Sequence, residues 1–176
     1  MSINTDNEQI ADVSGLGVLG IVAAVLALMF FYRFSESGFI PILDHANLAF
    51  HEAGHPIFGM FGWTMGLLGG TLGQLVFPIA VTVTFLRKGA LVPAALGLIW
   101  LFQNFLNVAR YIADARAQDL PLVGNGDRLH DWNTLLMQWH ALSSDTSIAR
   151  AVTVIAWMGM MATFLWVTIV WLRTRE

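Results

Sequence analysis

Residues 43–63 read Leu43-Asp44-His45-Ala46-Asn47-Leu48-Ala49-Phe50-His51-Glu52-Ala53-Gly54-His55-Pro56-Ile57-Phe58-Gly59-Met60-Phe61-Gly62-Trp63. The run is apolar overall, yet it carries two imidazoles and a carboxylate in the string His51-Glu52-Ala53-Gly54-His55. On a helix, residues four apart share a face, so His51 and His55 stand together with Glu52 beside them. Two nitrogen donors on one face, next to a carboxylate, are what a divalent metal and a general base require. The reading that follows is a long buried helix with a metal-type site.

Composition sets the surroundings of that helix. Hydrophobic residues make up 56% of the 176 residues and charged residues 12%, where ordinary soluble domains carry roughly 25% charge. The fold class expected is all-α, a polytopic transmembrane bundle of about four or five spans, with the lipid bilayer as its first partner. A net charge of -3 without a basic run excludes a nucleic-acid surface. Cysteine is absent, which excludes disulfides, thiolate chemistry and Cys-ligated metal.

Outward from residues 43–63, the chain divides into a polar tail over residues 1–14 and one membrane domain over 15–176. Residues 15–34 are apolar and long enough to cross about 30 Å of hydrocarbon. Ser35, Glu36, Ser37, Gly38 and Pro41 link this span to the His-bearing stretch. Gly66, Gly69, Gly70 and Gly73 follow, either admitting close backbone contact or loosening the chain beside a polar cavity. Arg87-Lys88 ends that span, and another runs over 90–113 with Gln103, Asn104 and Asn107 in its second half. The Gly124-Asn125-Gly126-Asp127 run is a turn by its chemistry. Trp132, Leu135, Leu136 and Trp139 repeat at helical spacing, as in a short helix at a membrane surface. Ser143, Ser144 and Asp145 offer caps for a last span over about 148–172.

A catalytic zinc takes three protein donors and leaves one position for water. Beyond His51 and His55 the candidates for the third are Asp114, Asp119, His130, Asp131, His45 and Asp44. Asp114 is favoured, because it ends the span whose Asn104 and Asn107 are placed to line the same cavity. His130 and Asp131 read first as caps, with Asp131 before Trp132 as the helix cap, and second as supports of the site. Asn104 and Asn107 are interhelical hydrogen-bond donors or holders of a substrate carbonyl.

The His51–His55 string on an apolar helix, the Gly-rich stretch after it and a later span with Asn107 ahead of Asp114 resemble the site-2-type intramembrane zinc metalloproteases. The stretch from Asn104 to Ala115 lacks the proline, the Leu-Asp pair and the glycine of that family's third motif. The resemblance implies Zn2+ held by His51, His55 and Asp114, with Glu52 as general base. It also implies a membrane-embedded peptide or protein as substrate, and residence in a bacterial inner membrane. Other readings of the same residues are a membrane amidase or lipid hydrolase, a metal-binding membrane protein without catalysis, and an inactive scaffold.

Two features bear on the geometry. Pro56 removes the amide that would bond the carbonyl of Glu52, so a kink is expected at the metal. Depth is the second. If the His-bearing helix and the next both cross, the Asp114 end and the start of the His-bearing helix lie at opposite faces. Either five spans exist with the ligands drawn toward mid-bilayer, or the His-bearing helix does not cross and four remain.

Overall fold

The structure, a computed structural model, describes residues 15–35, 40–120 and 130–173. The polar tail over 1–14 and the Gly124–Asp127 turn lie outside the described residues. The elements are α1 (Gly15–Phe34), α2 (Pro41–Gly59), α3 (Trp63–Arg87), α4 (Leu91–Ala113), α5 (Asp131–Gln138), a 3-10 turn (Leu142–Ser144) and α6 (Asp145–Arg173). The described residues contain no strand. Four segments are long and apolar enough to cross a membrane: Gly15–Tyr32, Trp63–Arg87, Leu91–Ala113 and Leu142–Arg173. α2 is not among them. Asp44, His45, Asn47, His51, Glu52 and His55 dilute its apolar character, so among the described residues four helices have the length and apolarity of a span.

The contacts fall into two compact units. One unites the described residues within 15–35, 78–101 and 158–173, and its core is Val18, Ile21, Val25, Ala95, Ile99 and Val167. The other unites residues 40–77 and 102–157 and holds every residue of the site expected from sequence. Its apolar core joins Val108, Ile112 and Ala115 to Leu136 of α5 and Ala149 of α6. α5 therefore packs one face inward, with Leu135 and Leu136 buried, and leaves Met137 and Trp139 exposed. α6 begins at Asp145, three residues before the expected start. Asp145 is buried, and its Oδ2 accepts from Arg116 Nε at 2.7 Å.

Within this second unit α2 and α3 form a helical hairpin through Met60–Gly62, where Gly62 takes φ 114°. The glycines provide close contact rather than an irregular segment, since all four lie in the regular helix α3. A Cβ on Gly54 would collide with the carbonyl of Gly69, and one on Gly73 with the carbonyl of Phe50. Small residues at such crossings let backbones meet without a side chain between them. Phe50 and Phe77 stack beside that contact at 4.1 Å.

Pro56 does not end the helix, which continues to Gly59. A proline removes one amide and crowds one carbonyl, and packing of Gly54 against α3 on one side and Gly59 against Gly66 on the other holds the helix across that gap.

Gly54→Ala should destabilise the protein, because overpacking at a backbone contact costs about 1–3 kcal/mol against the roughly 1 kcal/mol of helix propensity recovered. Gly20→Ala is the matched control, since nothing lies within 4 Å of its Cβ position. Thermal unfolding in detergent checks both: the first midpoint falls, and the second holds or rises.

Candidate metal centre

α2 builds the site from one face. Asp44, Asn47 and His51 are buried along it, and His55 follows one turn later. The ring of His51 lies over Gly70 so closely that a Cβ there would overlap the imidazole. His55 meets α3 one turn nearer the hairpin, where its Nδ1 donates to the carbonyl of Gly66 at 2.8 Å. That bond fixes the tautomer, because a carbonyl only accepts. The Nε2 of a neutral His55 is then a bare lone pair.

The carboxylate that meets the histidines is Asp131, not Asp114. Asp131 Oδ2 stands 3.1 Å from His51 Nε2 and 3.4 Å from His55 Nε2. Donors around a tetrahedral zinc with bonds of about 2.0–2.1 Å are spaced about 3.3 Å apart. The two separations bracket that edge. Glu52 completes the group, with a carboxylate oxygen and both imidazole nitrogens all within 4.8 Å of one another. A His, His and carboxylate set with a further carboxylate alongside is the donor chemistry of a hydrolytic zinc site. The residues therefore fit the metal that the sequence pattern implied.

Asp114 is occupied elsewhere. Its Oδ1 accepts from the amide of Asp119 at 2.9 Å, and its Oδ2 from the amide of Leu120 at 3.2 Å and the imidazole of His130 at 3.2 Å. It closes the turn after α4, a role its place at the end of a span conceals. His130 accepts from the amide of Asn133 through Nδ1 at 3.1 Å, so its Nε2 carries the proton given to Asp114. Burial pushes His130 below the ordinary imidazole range, against the opposing pull of Asp114, and the neutral ring this favours suits both bonds.

His130 is thus the N-cap of α5, where the sequence reading had placed Asp131. The difference matters. With the cap supplied one residue earlier, the Asp131 side chain is released from helix capping and turns toward α2. Tyr111 holds it there: the Tyr111 Oη accepts from the Asp131 amide at 3.1 Å and lies 3.5 Å from Oδ2. The same phenol ring packs on His130 at 4.2 Å and edge-on to His51 at 5.8 Å. Trp132 Nε1 donates to Thr71 at 3.2 Å and ties the start of α5 to α3. Tyr111 went unnoticed in the sequence. Its signal is its position, one turn after Asn107 on the polar stripe of α4.

Asn104 and Asn107 are interhelical donors. Asn107 Nδ2 gives to Asp44 Oδ1 at 2.6 Å and Asn104 Nδ2 to Asn47 Oδ1 at 3.2 Å. Gln103 joins them, bonding Asp44 at 2.8 Å and Asn47 at 3.0 Å. This network ties α2 to α4 and fixes the rotation of α2, so that its lower turns present both histidines to Asp131. Asp44 is buried and spends its oxygens on the N–H groups of Ile40, Asn47, Gln103 and Asn107. His45 is exposed and bonds the carbonyl of Pro41. Asp119 contributes its amide to the Asp114 turn.

Asp114→Ala should lower stability by about 1–3 kcal/mol, the cost of leaving buried donors unmet, and chemical denaturation reads it as an earlier midpoint at unchanged slope. No protein-family model matches the chain, and no curated protein or solved structure matches it either.

Proposed function

We propose that this chain is a zinc-dependent membrane hydrolase of the peptidase type, with His51, His55 and Asp131 as metal ligands and Glu52 as general base. One observation carries the reading: the Nε2 of His55, a lone pair whenever the ring is neutral because Nδ1 donates to Gly66, faces a carboxylate oxygen at 3.4 Å. Two electron-rich atoms so placed repel unless a cation lies between them. His51 adds a second imidazole nitrogen to the same oxygen. A metal resolves both contacts at once, and the Gly66 carbonyl is the outer partner that ligating histidines ordinarily have.

Zinc held by this set supplies Lewis acidity, drawing down the pKa of water and polarising a carbonyl. The remaining work belongs to the side chains. Glu52 accepts a proton from the attacking water on a carboxylate oxygen and returns it to the departing nitrogen. Tyr111 keeps the Asp131 carboxylate aimed at the histidines. Gly70 leaves room for the ring of His51, so the ligand sits without a steric shift.

Elemental analysis of detergent-purified protein tests the site. About one zinc per chain is expected in the wild type and in Asp114→Ala, and none in His51→Ala or Asp131→Ala. A proton is the competing cation, since His55 as imidazolium would also satisfy Asp131. No bound metal in folded wild type, or iron in place of zinc, overturns the reading. Glu52→Gln should keep its zinc while hydrolysis falls about 10²–10⁴-fold, the usual weight of a general base. Undiminished turnover in that variant removes Glu52 from the mechanism.

A further inference from the structure

The level of the site along the helices constrains what it acts on. His55 bonds Gly66, the fourth residue of α3, and Tyr111 is the third from the end of α4. Both contacts fall near one end of helices that are each long enough to span. In α3 the twenty residues 67–86 are uncharged and end at Arg87, enough for a hydrocarbon thickness of about 30 Å. Gly66 then falls at the edge of that thickness. In α4 residues 91–109 are uncharged and Arg110 follows, placing Tyr111 just past the same kind of edge.

The hairpin tip agrees with this level. Met60, Phe61 and Trp63 are 79%, 71% and 63% exposed, whereas a turn standing in water is normally built of polar residues. Aromatic residues, Trp above all, prefer the headgroup zone, and Trp63 precedes Gly66 by three residues, roughly 4.5 Å along the helix. A cleft of about 300 Å³ lies between His55, Gly59, Gly62, Trp63, Gly66 and Leu67. Of the proposed ligands His55 lines it, and its other walls belong to the hairpin end of α2 and α3.

We propose that the metal centre lies at the membrane boundary and opens at headgroup level, and that its substrate is the extended juxtamembrane segment of a membrane peptide rather than a bond inside a span. The substrate class rests on the hydrolase reading above; the depth does not. A peptide fits better than a lipid, because the cleft is at the lower end of ligand pockets in size and holds one large side chain, not a pair of acyl chains. Water reaches a boundary site directly, without a cavity cut to the bilayer centre. The segment entering it has left the span, so its amide is not screened by helical hydrogen bonding.

The chain contains no cysteine, so single nitroxide labels can be placed at Ile57→Cys, Met60→Cys and Val76→Cys, all at exposed positions, in protein reconstituted into phosphatidylcholine vesicles. Power saturation with a water-soluble nickel chelate and with oxygen reports depth. Met60 should be the most accessible to the chelate, Ile57 just below it, and Val76 accessible chiefly to oxygen. Ile57 as deep as Val76 overturns the boundary placement whatever the metal result. The substrate is read with reporter peptides carrying a Gly-Pro break either at the edge or at the centre of one span. Cleavage at the edge alone is expected. Cleavage only at the centre, or of a lipid amide alone, overturns the substrate class. Cleavage of none of these by zinc-loaded protein also overturns it and takes the hydrolase reading with it, while the depth stands on the labels.

Discussion

The close approach of α2 to α3 at Gly54 is the constraint from which the rest of the second unit follows. With Gly54 seated against Gly69 and Gly73, no side chain separates the two backbones. Only at that separation does His51 reach over Gly70 and His55 reach the carbonyl of Gly66. The glycine inside the His-bearing string is therefore a packing requirement. It also explains why the string tolerates Pro56: the helix is clamped on both sides of the missing hydrogen bond, so the neighbours impose the geometry that the backbone no longer enforces.

Rotation and height are set by a second device. A helix held only by glycine contacts can slide or turn, because apolar packing is weakly directional. The amides of Gln103 and Asn107 converge on Asp44, two turns above His51, and Asn104 bonds Asn47, one turn above it. Such bonds need a particular register. The polar stripe of α2 (Asp44, Asn47, His51) thus faces the polar stripe of α4 (Gln103, Asn107, Tyr111). The upper part of each stripe positions the lower part, which carries the site.

Much of this was legible in the residues themselves. α1 spans Gly15–Phe34 as its apolar run indicates, and the spans ending at Arg87 and Ala113 fall where the composition places them. Charge and apolarity along a helix are local properties, so they can be read from local sequence. Which carboxylate meets the two histidines was not legible, because it depends on a contact across 80 positions. Asp114 had every local qualification, yet the turn after α4 consumes its oxygens. Asp131 looked like a cap, and only His130 taking the cap frees it. A sequence shows which residues are able to cap or ligate; packing decides between them.

The way the fold treats its buried carboxylates argues that Asp131 is different in kind. Asp44 accepts from the amides of Ile40, Asn47, Gln103 and Asn107. Asp114 accepts from Asp119, Leu120 and His130, and Asp145 from Arg116 and Thr146. In each case N–H groups take the place of the water lost on burial, which is what a buried anion requires. Asp131 has equal access to such donors in principle, since Tyr111 and the start of α5 surround it. Its Oδ2 lies 3.5 Å from the Tyr111 hydroxyl, 3.1 Å from His51 Nε2 and 3.4 Å from His55 Nε2, so its nearest partners are the two imidazoles of α2. Among the four, Asp131 alone faces two imidazoles at once, which is the donor convergence that a metal at this position would require.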